Sequence, residues 1–577
     1  MNAIIEVNEA EWIKERRAAG AAYGYEGAFI DEGYAPFPVF FEGWKSAPRD
    51  DILSFSWDFG DGYGCDEDGI NAAHVYETPG VYTATLAVWN AAGKTAWASY
   101  EITVLDRQGV TYYVDSNLGH DANSGTAPGA GAWQTAAHAF NGIGEKRYRP
   151  GDQVLFMRGQ SFSIESRVVK FHHWPGYGVT FGAYGNHHNH APFIQLTGPA
   201  TPGDPSKIHP MILPNDASGL AHVSFVDLTF QATSNTDPDN VATIYYGAGA
   251  TQNLLFLRCC FNDCFNGLIT SANEPDTVSG TFIVDCEFYR SAVVHLFAQA
   301  TRYALVGNMM VLSGNHHAYL GVLDCAVIHG NTITQPAFGR TALRICGRQY
   351  GGVPTQHIDI RDNVFIGWVD PVAGNYATKT NTAPEDFDGY FVAGPSDWAQ
   401  NWGRAHNGGG ERYNFSLIGL GTGNIAADNT ITDVVFENNG IMDAEVLLEI
   451  HTCNGLVVRN NTLETDYGGD RPPVKIFDTN TCKSGPISGL LIEGNEVSLP
   501  QLMTSDEVFI IEPCTLSEHK DIVIRNNIIK QIGAVEPEPD PAPEPALHPV
   551  SGLVGPYSVT ITPSTEALDI HIELPGE

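Results

Sequence analysis

Short segments that alternate apolar and polar residues and then place an asparagine recur through the second half of the chain. Two examples are GLVVRNNTL (455–463) and DIVIRNNII (521–529). The alternation has the period of a half-buried β-strand, and no helical pattern lies between the segments. The recurring asparagines are Asn308, Asn331, Asn363, Asn439, Asn461, Asn495 and Asn527, and Cys286, Cys259 and Leu228 hold the same place upstream.

The repeat predicts a β-solenoid, in which each coil of short strands stacks on the next and all inner faces share one core. Irregular spacing between the asparagines fits this architecture, because insertions can leave a coil at a turn while its strands keep register. We expect about ten coils, a rod of roughly 40–50 Å at the ~4.8 Å strand spacing, with the asparagines hydrogen-bonded in a ladder. An ordinary β-sandwich rich in Asn turns is the alternative.

A different pattern precedes the repeat, with alternating strands and turn residues from Pro36 to about residue 106. It predicts a small β-sandwich. The motifs WDFGDG (57–62), HVYETPGVYTATLAV (74–88) and WNAAG (89–93) resemble a polycystic-kidney-disease (PKD) domain, which implies a spacer or binding unit rather than an enzyme. Its acidic turn could hold Ca²⁺ through Asp61, Asp66 and Asp68, or be simply solvated.

The stretch from Thr111 to Phe140, with RPGDQVLFMRGQSF (149–162), resembles the entry to right-handed parallel β-helix proteins of the pectate-lyase-like superfamily. This resemblance covers residues 111 to about 532 and implies that AWQTAAHAF forms a capping helix. The predicted fold is therefore all-β, with five parts. They are an extension (1–30), a PKD-like sandwich (31–106), a β-helix (107–532), a Pro/Glu-rich linker (533–547) and a small β segment (548–577).

Composition narrows the function. The formal charge of −36 disfavours a nucleic-acid partner, since a phosphate backbone demands a basic surface. No apolar run approaches the ~20 residues of a membrane span. The ten cysteines lack zinc spacing, and Cys259 and Cys286 occupy the ladder position, so we expect buried thiols and folding in a reducing compartment. The amino terminus carries acidic residues where a signal peptide would be apolar.

The strand before each ladder segment predicts a row of functional side chains. With aliphatic residues placed inward, the side chains of His295, Tyr319, Arg344, Glu449 and Lys475 point outward in one row. His317 and His451 are expected to flank this row on the same face. Neighbouring strands lie ~4.8 Å apart, so several of these groups can reach one sugar unit. An inert, solvated sheet is the alternative.

Two reactions fit these residue types. A lyase must neutralise a uronate carboxylate, for which Arg344 (with Arg340 and Arg348 nearby) or Lys475 is suited. It must also move protons, which His295, His317 or Tyr319 can do. A hydrolase needs two carboxylates, one of which Glu449 could supply.

A long insertion, about residues 369–425, separates Asn363 from Asn439 and is the second candidate region. Long loops on rigid scaffolds are usually functional, and aromatic residues beside charged ones suit the binding of sugars. The candidate sugar-binding residues here are Asp388, Tyr390, Trp398, Trp402, Arg404, His406 and Arg412. Packing of this segment against the solenoid is the alternative.

These features favour a polysaccharide depolymerase, with a lyase slightly preferred to a hydrolase, that acts on a bacterial surface or extracellular glycan. The expected setting is a bacteriophage tailspike that forms a homotrimer on the virion or outside the cell. It needs no cofactor beyond the optional Ca²⁺. Alternatives are a secreted polysaccharide lyase, a non-catalytic glycan-binding adhesin and a structural spacer.

Overall fold

The computed structural model describes most of the chain in short stretches. The described residues are 1–7, 31–62, 67–144, 148–164, 169–170, 178–196, 211–213, 220–232, 242–246, 251–264, 266–270, 278–291, 294–313, 316–334, 336, 341–347, 354–367, 416–421, 430–444, 446–465, 472–476, 487–511, 518–532, 550–554, 557–563 and 568–573. They form two compact units, Met1–Lys530 and Gln531–Glu577. Within them, no helix is long and apolar enough to cross a membrane.

The first unit begins with a β-sandwich of two sheets. Its strands are β1 (Glu6–Val7), β2 (Glu32–Tyr34), β3 (Phe37–Glu42), β4 (Ser54–Asp58), β5 (Glu67–Asp68), β6 (Asn71–Tyr76), β7 (Gly80–Trp89) and β8 (Thr95–Leu105). One sheet has the order β1-β3-β6 and the other β2-β8-β7-β4-β5. Their inner faces share a core that includes Val39, Trp57 and Leu86, all fully buried.

The rest of the first unit is a parallel β-helix with three sheets, and the predicted fold class is confirmed. Sheet I contains Val169–Lys170, Met211–Leu213, Ala242–Tyr246, Asn266–Thr270, the first halves of Leu296–Val306 and Ala318–His329, Leu343–Ile345, Ser416–Leu420, Val446–Ile450, Val474–Ile476 and Phe509–Ile511.

Sheet II contains Thr111–Val114, Gln153–Met157, Val179–Tyr184, Leu220–Ala221, Val223–Val226, Thr251–Leu257, Val278–Val284, the second halves of Leu296–Val306 and Ala318–His329, Thr355–Arg361, Ile431–Glu437, Cys453–Arg459, Ser488–Glu493 and Lys520–Arg525.

Sheet III contains Ser161–Ile164, Phe193–Leu196, Thr229–Ala232, Cys260–Cys264, Glu287–Ser291, Met309–Ser313, Thr332–Thr334, Val364–Ile366, Gly440–Met442, Thr462–Glu464, Glu496–Leu499 and Ile528–Gln531. These are 12 strands in the described chain, more than the about ten coils expected.

The described residues of the β-helix include two α-helices. Helix α1 (Ala136–Gly144) lies at the amino-terminal end of the β-helix and contributes Phe140 to its core. The ring centroid of Phe140 is 5.3 Å from that of Phe156 and 5.0 Å from that of Phe181. Helix α2 (Ser505–Val508) is a single turn near the other end. The second unit is described by one antiparallel sheet of Val550–Val554, Tyr557–Pro563 and Leu568–Glu573.

The asparagine ladder is confirmed. From Asn308 to Asn495, each ladder amide donates from Nδ2 to the Oδ1 of the asparagine one coil further on, over 2.8–3.1 Å. The same Oδ1 also accepts the main-chain N–H of the preceding ladder residue, as between Asn439 and Asn461 at 2.8 Å. Cys286 and Cys259 continue the column, with the Cys286 N–H donating to Asn308.

The residue before each ladder position has a positive φ, which turns the chain from sheet II into sheet III. These residues are Asp227, Arg258, Asp285, Gly307, Gly330, Asp362, Asn438, Asn460, Gly494 and Asn526. Glycine, asparagine and aspartate tolerate this left-handed conformation best, which explains why the repeat reads GN, NN or DN in sequence. The described cysteines are thiols, namely Cys259, Cys260, Cys264, Cys286, Cys325, Cys346 and Cys453.

The sandwich packs against the outer face of sheet II, which the sequence did not lead us to expect. Phe40 and Ala73 form a separate apolar cluster with side chains of four β-helix strands, namely Leu255, Leu257, Phe282, Ala304, Cys325 and Val327. Because these outward-facing residues are buried by the sandwich, the contact stabilises both parts through the hydrophobic effect.

Polar contacts run along the same interface. The carboxylate of Asp359, 1% exposed, accepts the main-chain N–H groups of Ile70 and Asn71 at 3.1 and 2.9 Å. Glu42 forms an ion pair with Arg302. Further contacts are the stacking of Trp44 on His357 at 3.7 Å and the ion pair of Arg49 with Asp433 at 3.4 Å. The sandwich is therefore fixed to the β-helix by buried polar groups as well as apolar ones.

Candidate functional site

Four of the residues expected in the outward row share one register position of sheet I. Tyr319 pairs with Arg344, Arg344 with Gly419, Gly419 with Glu449, and Glu449 with Lys475. We call these five positions, together with Phe297 before them, the sheet I row. The neighbouring strand positions Leu320, Ile345, Leu420, Ile450 and Ile476 are buried in the core, so the row lies on the outer face.

One end of the row is a stack of three side chains. The rings of Phe297 and Tyr319 are nearly parallel, with centroids 5.3 Å apart. The guanidinium carbon of Arg344 lies 5.2 Å from the centroid of the Tyr319 ring. Stacking on both sides fixes the phenol, since a side chain that is packed on two faces loses rotamer freedom. A phenol and a guanidinium are thus held side by side on adjacent coils.

Gly419 separates this stack from Glu449. Because neighbouring strands lie ~4.8 Å apart, the backbones of Arg344 and Glu449 are roughly 10 Å apart, and the position between them has no side chain. The cation and the carboxylate are therefore separated in the row by one position without a side chain.

Glu449 is held by several donors. Its Oε1 lies 3.0 Å from His451 Nε2, and its Oε2 accepts the Ser416 hydroxyl at 2.6 Å. Burial alone would raise the pKa of Glu449, but the hydrogen bond and charge of His451, the Ser416 hydroxyl and the nearby charge of Lys475 lower its pKa to about 2. Glu449 is therefore an anion at neutral pH, suited to act as a base, nucleophile or charge partner rather than as an acid.

The expectation that His295 and His317 point outward is wrong. Both are buried, at 1% and 0% exposure, and their Nδ1 atoms lie 2.9 Å apart. The strands begin after them, at Leu296 and Ala318, so both histidines lie at a corner, where the two-residue alternation does not apply. Phe297 holds the row position that was assigned to His295. Burial and the neighbouring His317 hold the pKa of His295 well below its usual value.

Several candidate residues lie outside the described residues. They are Arg340, Arg348, Asp388, Tyr390, Trp398, Trp402, Arg404, His406 and Arg412, and Asp66 of the acidic turn. Within the described part of that turn, Asp61 hydrogen-bonds His74 at 2.8 Å and Asp68 pairs with Ser56 through β5. The described residues contain no group of three or more side chains that could hold a metal ion. The Ca²⁺ site stays a prediction.

Sequence reasoning missed Phe297 and Gly419 as members of the row and Ser416 as a hydrogen-bond donor to Glu449. Ser416–Leu420 lies at the end of the long insertion, and its apolar residues Leu417, Ile418 and Leu420 were the signal that a buried strand resumes there. Chemically, the row combines a phenol, a guanidinium, a carboxylate and an ammonium on one rigid surface. That set can bind an acidic sugar and move a proton.

The amino-terminal sandwich has the internal contacts that its motifs require. Trp57 is fully buried and donates from Nε1 to the Gly69 carbonyl at 2.9 Å, and the Tyr76 hydroxyl donates to the Phe59 carbonyl at 3.0 Å. Residues 32–104 match the family model of the PKD domain. The PKD domain is thus the part of the chain that carries the β3–β6 contact with the β-helix.

Two solved structures resemble parts of the chain. The exopolygalacturonase of family 28 from Yersinia enterocolitica is 8% identical, with a TM-score of 0.24, over 86% of this chain and 97% of that protein. A carbohydrate-binding module of the β-sandwich superfamily is 22% identical, with a TM-score of 0.14, over 19% of this chain. The chain spans about a third of that second protein, 36% of its length. No curated protein matches the chain.

Proposed function

We propose that the chain is a polysaccharide lyase that binds an acidic glycan on the outer face of sheet I and cleaves it by β-elimination. The observation that carries the proposal is the register of the sheet I row, which sets Tyr319 beside Arg344 and places Glu449 and Lys475 beyond a glycine gap. The resemblance of this part of the chain to a superfamily that contains lyases agrees with it.

Each step of an elimination has a group in the row. Arg344 can hold the uronate carboxylate through two parallel hydrogen bonds and stabilise the charge that develops when the adjacent carbon loses its proton. With both histidines buried, Tyr319 beside the Arg344 guanidinium would take that proton as its phenolate and thereby become the neutral phenol. The bond to the leaving oxygen breaks as the carbon–carbon double bond forms, and the leaving oxygen gains a proton, which Tyr319 can return.

Glycoside hydrolysis is the competing reaction. It needs two carboxyl groups, roughly 5–9.5 Å apart, one of which must be protonated to act as the acid. Glu449 is ionised at neutral pH because His451 and Ser416 hold it, and the other described positions of the row carry no carboxylate. This arrangement favours elimination, in which Glu449 and Lys475 bind and orient the sugar rather than cleave it.

The test is incubation of the protein with polygalacturonate, alginate and hyaluronan while absorbance is followed at roughly 232 nm, where the unsaturated product of uronate elimination absorbs. Rising absorbance that is abolished by Arg344→Ala supports the proposal. The control is Arg525→Ala, which removes an exposed arginine of sheet II. New reducing ends without absorbance would make the protein a hydrolase, and binding without either product would make it an adhesin.

For the biological setting, we propose a bacteriophage tailspike or a related extracellular depolymerase that acts as a homotrimer. The thiols of the described cysteines support a protein that is made in a reducing compartment, and the net charge of −36 disfavours a nucleic-acid partner. Light scattering on the full-length chain at micromolar concentration tests the assembly, and a monomer mass would contradict it. A secreted bacterial lyase is the alternative setting.

A further inference from the structure

The PKD domain presents one sheet face away from the β-helix. Its two sheets lie back to back around the core of Trp57, Leu86 and Val88. The β1-β3-β6 sheet uses its outer face to contact sheet II, through Phe40 and Ala73. The outer face of the other sheet, formed by β4, β7 and β8, therefore lies on the far side of the domain, where it is open to a partner.

This outer face carries an exposed tryptophan beside a second one. Trp97 is 65% exposed, and its ring centroid lies 6.1 Å from that of Trp89, with the two planes at 70°. Trp97 pairs across the sheet with Ala87, which is only 3% exposed because its neighbours cover it. A single exposed apolar residue is common on protein surfaces, but here one exposed indole lies beside a second one, and together they offer an aromatic surface to a ligand, so Trp97 is a candidate contact.

Hydroxyl side chains surround the two indoles. The register gives one row of Thr95, Trp89 and Ser54 across β8, β7 and β4, and a second row of Trp97, Ala87 and Ser56. The third row begins with Ser99 and Thr85, whose hydroxyls are 3.3 Å apart. We call the first two rows, with Thr85 and Ser99, the tryptophan face.

The residues of the tryptophan face are themselves uncharged, and the acidic side chains at the same register border it, namely Asp58 beside Thr85 and Asp68 beside Ser56. Such a patch offers no ion pair to an acidic sugar, and the carboxylates at its border repel one, so it suits a neutral ligand better. Sugars present apolar C–H faces that stack on indole rings and hydroxyls that exchange hydrogen bonds with serine and threonine. A protein partner would require a larger apolar contact, on the order of 800 Å² a side, than one exposed indole provides.

We propose that the tryptophan face binds uncharged sugar units of a polysaccharide, with one sugar ring stacked on Trp97 and the nearby hydroxyls bonded to the adjoining units. This is a second glycan site that goes beyond the proposed lyase, and it differs from the sheet I row in taking neutral rather than acidic sugars. The PKD domain is fixed to the β-helix. A polysaccharide held on the tryptophan face is therefore present at a higher local concentration near the β-helix.

The experiment is affinity electrophoresis of the full-length protein in native gels that contain hydroxyethyl cellulose, galactomannan or xyloglucan. The wild type should be retarded by at least one of these neutral polysaccharides, and Trp97→Ala should weaken binding by about tenfold or more through loss of the stacked ring. Trp97→Tyr, which keeps an aromatic face, should retain most of the retardation. The matched control is Val81→Ala, because Val81 lies on the same sheet, is 64% exposed and is far along β7 from Trp97.

Arg344→Ala separates this site from the proposed lyase. Retardation that persists in Arg344→Ala and disappears in Trp97→Ala supports the tryptophan face, whether or not the protein cleaves any uronate. The inference is overturned if none of the three polysaccharides retards the wild type, or if Trp97→Ala migrates as the wild type does. It is also overturned if Arg344→Ala alone abolishes retardation, which would assign the binding to sheet I.

Discussion

Among the described residues, two glutamate–arginine pairs join the PKD domain to the β-helix, and they differ in burial. Glu42 pairs with Arg302 where their side chains are 2% and 7% exposed. Glu77 pairs with Arg258 at 2.7 Å, with side chains that are 50% and 39% exposed. Both pairs consist of the same two residue types and lie at the same interface. Replacing each glutamate by glutamine therefore shows how burial changes the contribution of such a pair to the free energy of unfolding.

The expected effect is large for the buried pair. Glu42→Gln keeps the shape of the side chain but leaves the Arg302 guanidinium buried without its carboxylate, and loss of one partner from a buried pair typically costs 3–5 kcal/mol. The charge of Asp324, which acts on the same cluster, offsets part of this loss. We therefore expect Glu42→Gln to lower the free energy of unfolding by about 3 kcal/mol.

The effect at the exposed pair should be small. Solvent screens a pair of this exposure, so such pairs typically contribute about 0.2–1 kcal/mol. Arg258 also keeps its 2.9 Å contact with Asp227 after Glu77→Gln. We expect this variant to lose less than about 1 kcal/mol, and less still in high salt.

The measurement is urea unfolding followed by far-UV circular dichroism and tryptophan fluorescence, with both variants and the wild type in the same buffer. A third variant, Glu42→Leu with Arg302→Leu, should recover much of the loss, because an apolar pair leaves no uncompensated charge. Equal shifts for Glu42→Gln and Glu77→Gln would refute the reasoning. So would a double variant that is less stable than Glu42→Gln.

Three further predictions follow from single sites. Asn461→Leu should destabilise by about 1–3 kcal/mol in thermal unfolding, since it orphans the Asn439 N–H and the Phe436 carbonyl, whereas Asn527→Leu, in the half-buried last coil, should cost less. Burial and the neighbouring His317 lower the pKa of His295, so the unfolded chain takes up a proton that the folded chain does not as the pH falls through about 6.5. The free energy of unfolding should therefore decrease between pH 7 and pH 5, and His295→Gln should make that decrease smaller. On the correct uronate substrate, Arg344→Ala should lower turnover by about a hundredfold or more, with an unchanged circular dichroism spectrum; full activity would place the chemistry elsewhere.

The β-helix could be predicted because its repeat has a physical cause that is visible in sequence. A side-chain amide that donates to the next coil and accepts from the previous one must be asparagine, and the residue before it must tolerate a positive φ. The strand before each ladder segment could be aligned by its alternation of apolar and polar residues. Tyr319, Arg344, Glu449 and Lys475 were therefore assigned to one row of sheet I. Each of these assignments depends on contacts between neighbouring coils, which repeat in a regular way.

The sequence predictions failed for residues that lie outside the regular repeat of strands. His295 and His317 precede their strands, so alternation assigned them to the wrong side. The docking of the PKD domain depends on residues far apart in sequence, and no local rule predicts it. A signal existed nonetheless, because Leu255, Leu257 and Phe282 make their strands apolar on both faces, as expected for a sheet that is covered on both sides.

The distribution of contacts over the three sheets explains why sheet I is the better place for a site. The PKD domain covers the outer face of sheet II over the earlier coils. Over the later coils this face carries charged side chains in register. The carboxylate of Glu437 lies between two arginines there, with Oε2 2.8 Å from Arg361 Nη1 and Oε1 2.7 Å from Arg459 Nε. Val364–Ile366 of sheet III and Ser416–Leu420 of sheet I flank the undescribed residues 368–415. The second of these strands supplies Ser416, which bonds Glu449, and Gly419, which opens the gap beside Arg344. The longest interruption of the repeat thus ends in the strand that shapes the proposed site, as expected if the insertion and the row serve one function.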